Sequence, residues 1–110
     1  MITEAKPLDA KPIAPPATLK NGDIFSLVKS ERKGCPYSIN SITFAAGGTI
    51  DEQTHDDEHF IYAVSGTIHI RIGDAVHALS EGKFIYVPGN VNHGFENKTE
   101  ADATIIILKI

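Results

Sequence analysis

From Asn21 to the last residue the chain reads as a succession of short runs rich in Ile, Val, Thr, Phe and Tyr, each ended within a few residues by Gly, Asn or Asp. No segment sustains a 3.6-residue apolar period, so helices are expected to be minor or absent. Runs of this length, punctuated so often, belong to an antiparallel sandwich or barrel. The expected strands cover residues 23–29, 37–45, 59–64, 67–72, 75–79, 84–87, 94–97 and 104–110. Alternation is cleanest in Thr67-Ile68-His69-Ile70-Arg71-Ile72, where three isoleucines share one face. Gly73-Asp74 then supplies a tight reversal.

The first twenty residues differ in kind. Pro7, Pro12, Pro15 and Pro16 lock φ and remove backbone donors, which discourages helix and central strand alike. Residues 1–20 are therefore read as an extended arm, and residues 21–110 as one barrel domain. With 110 residues in all, one folded unit is expected.

Charge narrows the partners. Fourteen acidic against ten basic residues give a net charge of −4, with no basic face for nucleic acid. No apolar run reaches the ~20 residues that span a bilayer, and the first residues lack the apolar stretch of a secretory signal. The cytoplasm is the expected compartment. The single cysteine, Cys35, excludes an intramolecular disulfide, so packing or a metal must hold the fold.

Three of the five histidines, His55, His59 and His93, fall at strand boundaries in Gly-, Asp- and Asn-rich sequence, where side chains from separate strands can converge. On an extended chain Gln53, His55 and His59 share parity and can point the same way. His69 alternates against the isoleucines and is expected to face away from the core, while the parity of His77 is ambiguous. Asp56, Asp57 and Glu58 read as a solvated loop. Phe44, Phe60, Tyr62, Tyr86 and Phe95 are expected mostly in the core, with one or two at the mouth of a pocket.

In this pattern the chain resembles the cupin superfamily, in its small single-domain RmlC-like form. The family's first motif, G-x5-H-x-H-x3-4-E-x6-G, corresponds to Gly47, Gln53, His55, His59 and Gly66 with every spacing kept. The second, G-x5-P-x-G-x2-H-x3-N, corresponds to Gly82, Pro88, Asn90, His93 and Asn97. The resemblance implies an all-β fold, a double-stranded β-helix or jelly-roll barrel, here with a proline-rich N-terminal arm. It also implies one divalent transition metal per chain (Zn, Fe, Ni, Mn or Cu) at Gln53, His55, His59 and His93.

The departures from the motifs matter most. Gln53 replaces a ligand histidine, His59 replaces the glutamate, and Asn90 stands where a turn glycine is usual, a position that Asn tolerates at positive φ. Without the glutamate the ligand set is uncharged, so a divalent ion would keep its full charge and favour an anion such as a carboxylate or enolate. The expected function is a small metalloenzyme of oxygenase, lyase or isomerase type, acting on a small anionic oxygenated molecule bound in the barrel. A non-enzymatic ligand-binding cupin is the alternative, and a metal-free sugar isomerase would need an acid–base pair for which only Tyr62 and Tyr86 are available. A homodimer is expected, because so small a barrel leaves sheet edges to protect.

Overall fold

The computed structural model describes residues 18–110 and the backbone of a two-residue strand, Lys11–Pro12; the rest of the expected arm lies outside the described residues. The strands are β1 (Lys11–Pro12), β2 (Leu19–Arg32), β3 (Cys35–Gln53), β4 (His59–Ser65), β5 (Thr67–Ile72), β6 (Ala75–Ser80), β7 (Phe84–Val87), β8 (His93–Glu96) and β9 (Ala103–Lys109). All pairings are antiparallel and no helix occurs among the described residues. The expected all-β jelly roll is what forms.

Two strands run longer than their sequence suggests. β2 begins at Leu19, which opposes Ile50 and is itself core, so the barrel starts two residues before Asn21. β3 does not stop at Gly47-Gly48. Gly47 adopts φ +75 and its N–H donates to Asn97 O (3.0 Å), while Asn97 N–H donates to Gly48 O (2.8 Å). The glycines thus bend the strand rather than end it.

That bend makes the barrel. Before it, Ser38–Phe44 pairs with β9; after it, Thr49, Ile50 and Gln53 pair with β8. One strand therefore serves two sheets, β2-β3-β9-β4-β7 and β3-β8-β5-β6. The turn after β6 closes the far side, where Gly82 N–H donates to Ala63 O and Ala63 N–H to Lys83 O, both at 2.9 Å.

The core follows strand parity. Ile42, Phe44, Ile61, Ala63, Ile68, Ile70, Phe95 and Ile105 all point between the sheets, and Phe44 stacks on Phe95 with ring centroids 6.0 Å apart. Each such isoleucine stabilises the fold by ~1.5–3 kcal/mol relative to exposure. The aromatic expectation needs correction: only Phe44 and Phe95 are core. Phe60, Tyr62 and Tyr86 are exposed, because the inward positions of β4 are taken by Ile61 and Ala63 and those of β7 by Ile85 and Val87.

Candidate metal centre

The end of the barrel near the β3–β4 and β7–β8 connections is built by backbone contacts that fix three loops against one another. Asn90 has φ +62, as its turn position requires, and its N–H donates to His55 O (2.7 Å). Beside it, Gly89 lies so close to Asp56 that an added Cβ would overlap the Asp56 carbonyl oxygen. Only glycine allows that approach. Across the loop, Glu58 and Ile110 exchange backbone hydrogen bonds at 2.9 and 3.0 Å, and the Asn92 side chain donates to Glu52 (2.9 Å).

Asn97, the last residue of the second motif, secures the other end of β8. Fully buried, its amide nitrogen lies 3.0, 3.2 and 2.8 Å from the carbonyls of Phe44, Ala45 and Ala101, while its oxygen accepts from Thr99 N (3.0 Å) and Thr99 Oγ1 (2.7 Å). It ties the bend of β3 to the start of the β8–β9 connection.

On this frame His55, His59 and His93 converge as their spacing implied. Ring centroids are 4.7 Å apart for His55–His59 and His55–His93, and 5.1 Å for His59–His93. A ligand nitrogen from each lies within 4.8 Å of the others. Gln53 is placed directly opposite His93 on the neighbouring strand, hence on the same face. The two histidines set aside are elsewhere: His77 is exposed, and His69 lies on the opposite sheet face from Ile68 and Ile70, in an outer groove of about 220 Å³ beside Arg71 and Glu52.

The inward nitrogens of the three imidazoles are the atoms that can bind a metal. Nδ1 of His93 lies 2.9 Å from Val91 O, so that nitrogen carries the proton and Nε2 keeps its lone pair toward the centre. Nε2 of His93, both nitrogens of His59 and Nδ1 of His55 are buried without a protein partner. Burial, reinforced by the neighbouring imidazoles and Lys109, holds the His59 pKa down at about 3. His55 is lowered for the same leading reason.

These groups fit a metal ion. Three nitrogens bonded to one ion at ~2.1 Å lie ~3.0–3.6 Å apart, so the side chains would draw together around it by up to about 1 Å each. Leaving such buried nitrogens unpaired costs on the order of 1–3 kcal/mol each, which a shared cation removes.

Two residues near the centre were not singled out by sequence. Asp57, read as part of a solvated loop, has its Oδ2 3.7 Å from His55 Nδ1 and 3.2 Å from Lys109 Nζ. Lys109 opposes His59 directly and shares the inward parity of Ile105 and Ile107. That parity was the available signal: a lysine at an inward position of an otherwise apolar strand.

Tyr62 and Tyr86 lie on the outer face of the barrel, opposite Phe84 and Phe60, so neither can act as an acid or base inside it. Tyr86 instead donates to Glu58 (2.5 Å), a bond that raises its pKa above the ordinary 10.

Comparison with known proteins agrees with this architecture. Protein SchB of Streptomyces halstedii is 26% identical over 94 residues, covering 84% of this chain and 68% of SchB. The polyketide cyclase RemF of Streptomyces resistomycificus superposes with a TM-score of 0.82 at 18% identity, covering 99% of this chain and 79% of RemF. KdgF from Halomonas sp. gives 0.80 at 14% identity, over 99% of this chain and 93% of KdgF. An RmlC-like cupin from Shewanella frigidimarina gives 0.78 at 16%, over 94% and 86%. Residues 40–109, most of the barrel and all three histidines, match the Cupin domain family, and the chain belongs to it.

Proposed function

We propose that this cupin holds one divalent transition metal through His55, His59 and His93, with Gln53 at an exchangeable fourth position, and acts on a small anionic oxygenated molecule. The observation that carries the reading is the convergence of three imidazoles whose inward nitrogens find no protein partner. A bound ion supplies Lewis-acid charge where negative charge develops on a substrate oxygen.

The chain's own residues do the rest. The Val91 carbonyl sets the His93 tautomer, and burial keeps His55 and His59 neutral at pH 7. Because no carboxylate belongs to the ligand set, the charge of the ion is not offset and an anion is drawn to it. The oxygen-rich substrate class implied by the name of the polyketide cyclase RemF is in keeping with this preference.

The test is elemental analysis of untagged protein purified without added metal. Near-stoichiometric metal, lost in a His55→Ala, His93→Ala double variant, supports the reading. Metal at trace level, or unchanged in the double variant, refutes it. Ligand-induced rise in melting temperature that is the same with and without metal would favour the non-enzymatic alternative.

We further propose that the chain works as a homodimer, joined through the outer face of the β2-β3-β9-β4-β7 sheet. Phe25, Ser41, Ile106, Tyr62 and Phe84 form one cross-strand row there, and Val28, Ile39, Leu108, Phe60 and Tyr86 the next. The five aromatics are 37–73% exposed. At ~200 Å² per ring they leave roughly 450–500 Å² in solvent, over half of the ~800 Å² that each partner of a stable dimer buries. Neither row carries a charge, so an identical face is a fitting occupant. Light scattering should give a dimer for the native chain and a monomer for Phe60→Glu, Tyr62→Glu. A native monomer, or a dimer that survives both glutamates, refutes it. A chain lacking residues 1–17 should remain dimeric; dimerisation only after that deletion would make the arm the occupant and also refute it.

A further inference from the structure

The row of inward-facing positions that contains His59 continues across the sheet. His59 opposes Lys109, Lys109 opposes Ser38, and Ser38 opposes Lys29. With neighbouring strands ~4.8 Å apart, the row runs ~14 Å from the imidazole to the second lysine along one face. Its outer part is a cleft of about 310 Å³ lined by Lys29, Ser38, Tyr37, Asp57 and Lys109. That volume is at the low end of those that hold small organic ligands.

Asp57 joins this cleft to the histidines, its Oδ2 3.2 Å from Lys109 Nζ and 3.7 Å from His55 Nδ1. One of the three ammonium donors of Lys109 is thereby committed and the others remain for a ligand. Lys109 is offset by Asp57 and the Ile110 carboxyl group also lines the cleft, so the cation left over is Lys29, which has no ion-pair partner among the described residues. A neutral or cationic ligand gains nothing from that arrangement. An anion does, most of all one that is anionic at both ends.

We propose that the cleft is a carboxylate subsite, and that the ligand of this protein is a small organic dianion. One oxygen terminus reaches the histidine centre and a carboxylate at the other end is held by Lys109 and Lys29, with Ser38 between them as a hydroxyl donor. Acting as point charges on flexible stems, the lysines set the sign and reach of the ligand rather than its exact shape. This inference rests on the histidine centre being the reacting end, while the subsite itself depends on the lysines alone.

The two claims separate experimentally. Glutarate and acetate are titrated into the native chain and into Lys29→Gln, Lys109→Gln, each with and without added Zn, and followed by calorimetry and by amide chemical shifts. The native chain should bind glutarate at least tenfold more tightly than acetate when Zn is present. The double variant should lose most of that preference, two- to fivefold per lysine as for part-exposed ion pairs, with its Zn content unchanged. Lys109→Arg should retain at least half of the preference, since the charge is kept. Without Zn, glutarate should still shift the amides of residues 29, 38 and 109 in the native chain and not in the double variant. Equal affinity for glutarate and acetate in the native chain, or a preference that survives loss of both lysines, overturns the subsite. Failure to take up Zn, with lysine-dependent glutarate binding intact, overturns the metal reading and leaves the subsite standing.

Discussion

Replacing Asn97 by alanine should be among the most damaging single changes in this barrel, although the residue touches neither the histidines nor the cleft. The side chain is fully buried, its nitrogen faces three carbonyls at 2.8–3.2 Å and its oxygen accepts two bonds from Thr99. The amide has two protons for those carbonyls, so about four bonds are made at full strength. At a net ~1 kcal/mol each the loss is about 4 kcal/mol. Thr99 is only half-buried and can recover part of its share from water, which brings the expected cost to about 3 kcal/mol. In urea the midpoint should fall with an unchanged slope, and by calorimetry Tm should drop roughly 12–24 °C at ~4–8 °C per kcal/mol. Asn97→Asp serves as the control. It keeps the acceptor for Thr99 but turns a carboxylate toward the three carbonyls, so it should be no better than alanine. A cost below about 1 kcal/mol for alanine, or an aspartate as stable as the native residue, would refute this account of how the bend of β3 is held.

Three further outcomes follow from the site. Metal-free protein should lose stability as pH falls below about 6.5: the His59 pKa is about 3 when folded, so between these values the unfolded chain takes up a proton that the folded chain refuses. His59 should contribute up to ~1.4 kcal/mol per pH unit of that slope, lost in His59→Leu relative to native; identical slopes would count against it. Gly89→Ala should drive the new methyl into the Asp56 carbonyl and displace His55, lowering metal affinity ten- to a hundredfold, the range seen when a supporting partner is lost; an unchanged affinity in a competition titration would show that the loop adjusts. Glu58→Gln should bring the Tyr86 pKa back down toward 10 in an ultraviolet titration, because the carboxylate that holds the phenol proton is gone.

Much of the site could be read from spacing because the two glycine-framed motifs place His55, His59 and His93 by counting alone, and Asn90 at positive φ could be inferred from what Asn tolerates. The faces of β4 and β7 could not. Phe60, Ile61, Tyr62 and Ala63 are all apolar, so alternation cannot say which pair faces in, and the small residues that fit the interior drive the larger rings outward. The path of β3 was hidden for a different reason. Two glycines in a row end a strand in one context and bend it in another, and the difference lies in Asn97, fifty residues away, which receives the bend. Asp57 and Lys109 were legible only in part. The parity of Lys109 with Ile105 and Ile107 was available but was not read, and its partner loop becomes visible only when Glu58 and Ile110 are seen to pair.

The strand shared between the two sheets also governs when the histidine centre can exist during folding. His55 and His59 leave the β3–β4 connection together, whereas His93 arrives only when β8 pairs with the far half of β3, beyond the bend. Pairing between segments so distant in sequence is slow and closes late. An ion added to the unfolded chain therefore meets two ligands at most until the second sheet has docked. It should leave the refolding rate nearly unchanged and act instead on the rate of unfolding, making the bound barrel a kinetically locked one.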